Sequence, residues 1–174
     1  YINKAHKDSL NPNFSEENKR YIGHMTTNGM GMDIADINDD GLSDIVVLDM
    51  LPNQFKRLKR VKGPMNYSTY MIIEGNDYSD QYMRNTLQLG NGYVNGEPVR
   101  SSEVAFLYGI SGTYWSWAPL MVDFDNDGDQ DVILSGNRAT VEAAEGSFST
   151  PSYFDPVTIL YENHRGHTAR MYHF

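Results

Sequence analysis

Residues 36–48 read DINDDGLSDIVVL, and residues 123–134 read DFDNDGDQDVIL. Both open on the pattern D-x-[DN]-x-D-G-x-x-D, and an apolar run follows at once. Asp36, Asn38, Asp40 and Asp44 fill the first pattern, and Asp123, Asp125, Asp127 and Asp131 fill the second. Calcium takes about six to eight hard oxygens from a flexible loop, which alternate side chains and a main-chain carbonyl supply. Leu42 and Asp129, at the seventh position, are the expected carbonyl donors. Gly41 and Gly128, at the sixth, permit the positive φ that turns a loop around an ion. Magnesium fits less well, because it keeps several of its waters. Ca2+ is therefore the expected cofactor, and it is expected to be structural.

An EF-hand is excluded. Its twelfth loop position requires a bidentate Glu, and that position here is Val47 in one loop and Leu134 in the other. The runs Ile45–Leu48 and Val132–Leu134 are β-branched and short, which predicts buried strands rather than exiting helices. Short apolar runs around Ile34 and Met121-Val122 precede the loops, so each loop is expected to join two neighbouring strands. A turn that binds nothing is the bland alternative, and two copies with one spacing count against it. The second loop offers four carboxylates at its ligand positions and the first offers three, because Asn38 is neutral. Tighter calcium binding at 123–131 is the expected result. Calorimetry on Asp40→Ala and Asp127→Ala checks it, and equal or reversed affinities would contradict it.

The chain has 174 residues, a net charge of -9 and no Cys. Nine Asp lie in the two loops, and without them acids and bases are equal in number. Like charges this close repel, so the acidity calls for something positive at two places. The absence of Cys excludes a disulfide scaffold and every thiolate metal site. No apolar run approaches the roughly 18 residues of a membrane span, so no transmembrane segment is expected. The chain opens on Tyr1 rather than Met, which reads as a processed or excised segment.

The pattern repeats. Asn3 stands 33 residues before Asp36, and Gly90, in LQLGNG (87–92), stands 33 before Asp123. Leu160-Tyr161-Glu162-Asn163 is a third related segment. Residues 1–174 read as part of one domain, with units over about 1–49 and 85–136 and a partial unit over 157–174. Residues 50–84 read as a helical or irregular insertion, and 137–156 as a loop.

These residues resemble a known family. The acidic loops, the strand ends before them and the apolar strands after them are similar to FG-GAP/VCBS repeats. MGMDIAD (30–36), LDMLP (48–52), GPMNY (63–67), YMRN (82–85) and WSWAP (115–119) look closer still to bacterial cartilage-acidic-protein-like exported proteins. The resemblance covers 1–136 well and 157–174 weakly. It implies an integrin-α-type β-propeller of about seven blades, with calcium between two strands of a blade. This chain would hold two to three of them, and the remaining blades would be its partners. It also implies an exported location, extracellular, cell-surface or periplasmic, and it brings no catalytic residue.

Other features read more blandly. Lys56, Arg57, Lys59, Arg60 and Lys62 could meet a polyanion, but a solvated helix face explains them equally well. Nucleic acid is not an expected partner of so acidic a chain. Trp115 and Trp117 alternate, which puts both on one face of a strand, and burial of both is expected. His164, His167 and His173 fall on a predicted strand and turn rather than on a helix that could share a metal. No G-x-S-x-G, Walker or H-E-x-x-H motif is present. Asn13-Phe14-Ser15 and Asn66-Tyr67-Ser68 match glycosylation sequons, which matter only in a eukaryotic secretory host. The expectation is an all-β chain, a calcium-binding module that recognises a protein or a glycan. The alternative is an accessory or catalytic part of a secreted carbohydrate-active enzyme.

Overall fold

The computed structural model describes residues 2–3, 13–52, 67–113, 115–124, 126–139, 154–164 and 167–173, and gives the backbone alone for 2–3, 136–139, 154–164 and 167–173. In chain order the elements are β1 (Ile2–Asn3), β2 (Phe14–Ser15), α1 (Asn18–Tyr21), β3 (Met25–Thr26), β4 (Gly31–Ala35), β5 (Asp44–Leu48) and α2 (Tyr67–Gly75). Then come β6 (Gln81–Tyr82), β7 (Thr86–Leu89), β8 (Tyr93–Val94), β9 (Glu97–Pro98) and β10 (Ser102–Glu103). The chain closes with β11 (Trp115–Val122), β12 (Asp131–Ala139), β13 (Phe154–His164) and β14 (His167–His173). Strands dominate, as the sequence predicts. Among the described residues no helix is long and apolar enough to cross a membrane.

Two four-stranded antiparallel sheets carry the architecture, in the orders β4-β5-β7-β10 and β11-β12-β13-β14. Each is a meander, so each strand pairs with the next in its sheet. In both sheets the acidic loop joins the first strand to the second, as expected. The apolar run after each loop becomes a central strand because it has a neighbour on either side. In β5 burial alternates, with Val46 and Leu48 fully buried. They meet Leu87 of β7 and Met121, Val132 and Leu134 of the second sheet in one shared core. Burying a side chain of this size contributes about 1.5–3 kcal/mol.

The sheets touch through their first strands, with β11 against β4 and β5. Gly31 permits the approach, since a Cβ there would lie 2.2 Å from the Trp117 carbonyl oxygen. Two residues on, Asp33 Oδ2 accepts a bond from the Met121 amide at 2.7 Å. A buried polar chain runs alongside. The Asn85 carboxamide accepts from the Asp49 amide at 2.7 Å and donates to the Ile110 carbonyl and to Thr113 Oγ1. Thr113 Oγ1 in turn meets Ser116 Oγ at 2.7 Å.

Three sequence expectations change. The pairing of β11 with β12 shifts register between Ser116 and Ala118. That irregularity breaks the alternation, so Ser116 is buried while Trp117 is 46% exposed, and the two Trp do not share a buried face. Residues 137–139 and 154–156, expected in a loop over 137–156, lie instead in β12 and β13, and the rest of that stretch is outside the described residues. The described residues of 157–174, read as a partial third unit, lie in β13 and β14, the third and fourth strands of the second sheet. The helix expected in the insertion is α2, which buries none of its residues. The basic run 56–62 lies outside the described residues.

Beneath β3, β6 and β10, His24, Arg84 and Glu103 form a nearly buried cluster. Arg84 Nη2 donates to His24 Nε2 at 2.8 Å and pairs with Glu103 Oε2 at 3.2 Å. A guanidinium can only donate, so His24 is neutral and carries its proton on Nδ1. Burial, then the Arg84 charge, holds the His24 imidazole below its ordinary value, with Arg100 adding to the effect and Glu103 and Asp80 opposing it. The Tyr82 ring closes the site edge-on. The unfolded chain therefore takes up this proton at a higher pH than the folded one. The contribution of His24 to stability is full above its unfolded value of about 6.5 and is lost as pH falls through the lowered folded value. Urea melts across this range should show that slope in the native chain. His24→Gln keeps an acceptor near Nε2 without titrating, and it should flatten the slope. Identical slopes would contradict the assignment.

Candidate functional site

Four hydrogen bonds recur at the same positions of the two acidic loops. In the first, Asp36 Oδ1 accepts from the Asp40 amide at 3.1 Å and Oδ2 from the Gly41 amide at 2.7 Å. In the second, Asp123 Oδ1 accepts from the Asp127 amide at 3.1 Å and Oδ2 from the Gly128 amide at 3.0 Å. The fifth carboxylate accepts from the seventh amide in both: Leu42 to Asp40 at 2.8 Å, Asp129 to Asp127 at 2.9 Å. The ninth accepts from the second: Ile37 to Asp44 at 2.9 Å, Phe124 to Asp131 at 3.1 Å.

The backbone agrees. The fourth position has positive φ in both loops, Asp39 at 58° and Asn126 at 60°, and so has the sixth, Gly41 at 81° and Gly128 at 97°. A Cβ at either glycine would meet nothing within 4 Å. The requirement for Gly at the sixth position is therefore conformational rather than steric. The short Asp and Asn side chains tolerate the same region at the fourth position.

Asp44 and Asp131, at the ninth position, are buried where their strands begin. Asp44 also ties in a third strand, since its Oδ1 accepts from the Gly90 amide at 2.8 Å, just past β7. Gly90 has to be glycine here, because a Cβ would lie 2.7 Å from the Ser43 carbonyl oxygen. The sequence marks LQLGNG as a repeat feature, but the contact between its glycine and the loop is a tertiary one. Burial first, and then the charges of Asp40 and Asp36, push the Asp44 carboxyl above its ordinary value, against the pull of the Gly90 and Ile37 amides. Among the described residues no Lys or Arg pairs with Asp36, Asp40 or Asp44.

The expected ligands lie in two separate loops, Asp36, Asn38, Asp40, Leu42 and Asp44 in one and Asp123, Asp127, Asp129 and Asp131 in the other. Asp125 lies outside the described residues. The Asn38 amide donates to Asp40 Oδ2 at 3.0 Å, and the Leu42 side chain packs toward Gly90 and Gly92. As they stand, no three His, Asp or Glu among the described residues converge as a metal-holding group. The donor chemistry nevertheless fits a hard divalent cation. The side-chain donors are oxygens, there is no competing thiolate, and a carboxylate oxygen that accepts one amide bond keeps a further lone pair.

No family model matches the chain, and no curated protein or solved structure matches it.

Proposed function

We propose that this chain is a calcium-binding repeat module of the FG-GAP/VCBS type, part of a β-propeller in an exported protein. Each four-stranded meander would be a blade, and calcium in each first hairpin would be structural. Its partners would be the remaining blades and a protein or glycan ligand. The observation that carries this reading is the matched construction of the two loops. Four hydrogen bonds and two positive-φ positions recur at the same places in segments 87 residues apart. An incidental polar turn has no reason to be repeated so closely. The first loop carries three carboxylates with which no Lys or Arg pairs among the described residues, and a bound dication would relieve both their repulsion and the desolvation of Asp44.

Such binding would be coupled to folding, because the unfolded chain presents no formed site. At a free calcium level one hundred times Kd, one site stabilises the fold by about 2.7 kcal/mol. The test is a thermal melt after chelator treatment, repeated with calcium and with magnesium. A calcium-specific rise in Tm is the expected result. A chelator-treated chain that melts cooperatively and is unmoved by calcium, with elemental analysis showing it empty of metal, would refute the proposal.

A further inference from the structure

A half-open cleft of about 240 Å³ lies away from the acidic loops, between α1, the C-terminal end of α2 and the segment before β10. It is smaller than the roughly 300–1,000 Å³ of drug-sized pockets, and unlike them it is polar. Part of its charge is already used. Lys19 and Asp77 pair across one wall, and Glu74 Oε1 accepts from the Tyr70 hydroxyl at 2.8 Å. Other groups are unspent. Among the described residues the side chains of Asp80, Arg100, Tyr78 and Ser79, all lining the cleft, make no hydrogen bond or ion pair. Gly23 leaves room for the guanidinium, since a Cβ there would lie 3.2 Å from Arg100 Nη2.

The lining excludes ligand classes in turn. It has no aliphatic side chain, so an acyl chain or other apolar ligand gains nothing. Three carboxylates face two cations, one of them engaged, so a phosphate or sulfate is repelled. Lys19 and Arg100 in the lining disfavour a metal cation or an organic ammonium. A neutral polyol remains. Its hydroxyls both donate and accept, and the cleft offers both partners: Asp80 accepts, Arg100 donates, and the two hydroxyls do either. The Tyr78 ring, 63% exposed, adds a flat face for the C–H side of a sugar.

From this we infer that the cleft is a binding site for one neutral pyranose ring, free or at the end of a glycan. The inference rests on the recognition role proposed above and names its glycan arm. The test uses the full chain with calcium, and ligand-observed NMR with glucose, galactose, N-acetylglucosamine, lactose and cellobiose as neutral probes. Glycine serves as the zwitterion and sialyllactose as the anion. A neutral probe should bind, and Asp80→Asn and Arg100→Met should each weaken it about tenfold, the effect of one charged hydrogen bond. Both variants should leave Tm nearly unchanged at neutral pH, because among the described residues neither side chain loses a hydrogen bond or ion pair and each acts on His24 only through its charge. Binding of monosaccharides alone assigns a free sugar, and binding of the disaccharides as well assigns a glycan end. The inference is overturned if no neutral probe binds, if glycine or sialyllactose binds instead, or if the variants bind like the native chain. A calcium melt on the same sample reads the module proposal separately, so a sugar failure with an intact calcium shift removes only this site.

Discussion

Asp44→Ala should lose stability both with and without calcium, whereas Asp40→Ala should lose it only with calcium. The two carboxylates share one loop and differ in what they hold. Asp44 is fully buried and accepts the Ile37 and Gly90 amides. Truncation would remove the carboxylate that accepts from both amides, at about 1–3 kcal/mol each. Relief of the buried charge offsets part of this, so the expected loss in chelator is about 2–4 kcal/mol. Asp40 accepts from Leu42 and Asn38 at the exposed surface, where water replaces it at a cost of about 0.5 kcal/mol or less. With calcium present both variants lose a ligand, and the native advantage over Asp40→Ala should open by about the binding contribution of one site. Urea denaturation with chelator and with calcium measures all four differences. Equal losses for the two variants in chelator would contradict the structural role of Asp44. A calcium-indifferent Asp40→Ala would contradict the ligand role of Asp40.

Gly31→Ala should destabilise the fold by about 3 kcal/mol or more, the upper end of what overpacking costs. Gly31 does not have positive φ, so the reason is space alone. The added Cβ would stand 2.2 Å from the Trp117 carbonyl oxygen and 3.1 Å from Pro119 Cδ. That oxygen is main chain, in a strand paired to β12 on both sides of the irregularity at Trp117, so it cannot swing aside as a flexible side chain would. β4 and β11 would have to separate, weakening the bond from the Met121 amide to Asp33 and the packing of Met121 in the core. Gly75→Ala is the matched control. It adds the same methyl at the end of α2, where nothing lies within 4 Å, and it should be neutral or slightly stabilising. Similar urea midpoints for the two variants would refute this account of the sheet contact.

The acidic loops are legible in the sequence because their geometry is local. Position-by-position spacing sets which carboxylate reaches which amide, and glycine at the sixth position answers a backbone requirement met within the loop. The strands flanking them are legible for the same reason, since a short β-branched run beside a tight loop has few ways to pair. Trp117 was misread because alternation assumes an unbroken register, and the irregularity after Ser116 is a property of the pairing with β12. The cleft beside α2 had no sequence signal, since Lys19, Tyr78 and Arg100 are brought together only by folding.

The sequence by itself determined the β-rich class, the two strand–loop–strand hairpins and the carboxylates within each loop, because all of these depend on residues within about a dozen positions of one another. Only the tertiary structure decided which sheet each outer strand joins. β7 lies in the same sequence repeat as the second loop, yet it pairs with β5 of the first sheet, and Gly90 then anchors on Asp44. A repeat spacing records that the same unit recurs, but it carries no mark of where one sheet ends and the next begins. That boundary is set where the Gly31 backbone meets the Trp117 carbonyl oxygen and where Asp33 bonds the Met121 amide, contacts between residues more than eighty positions apart.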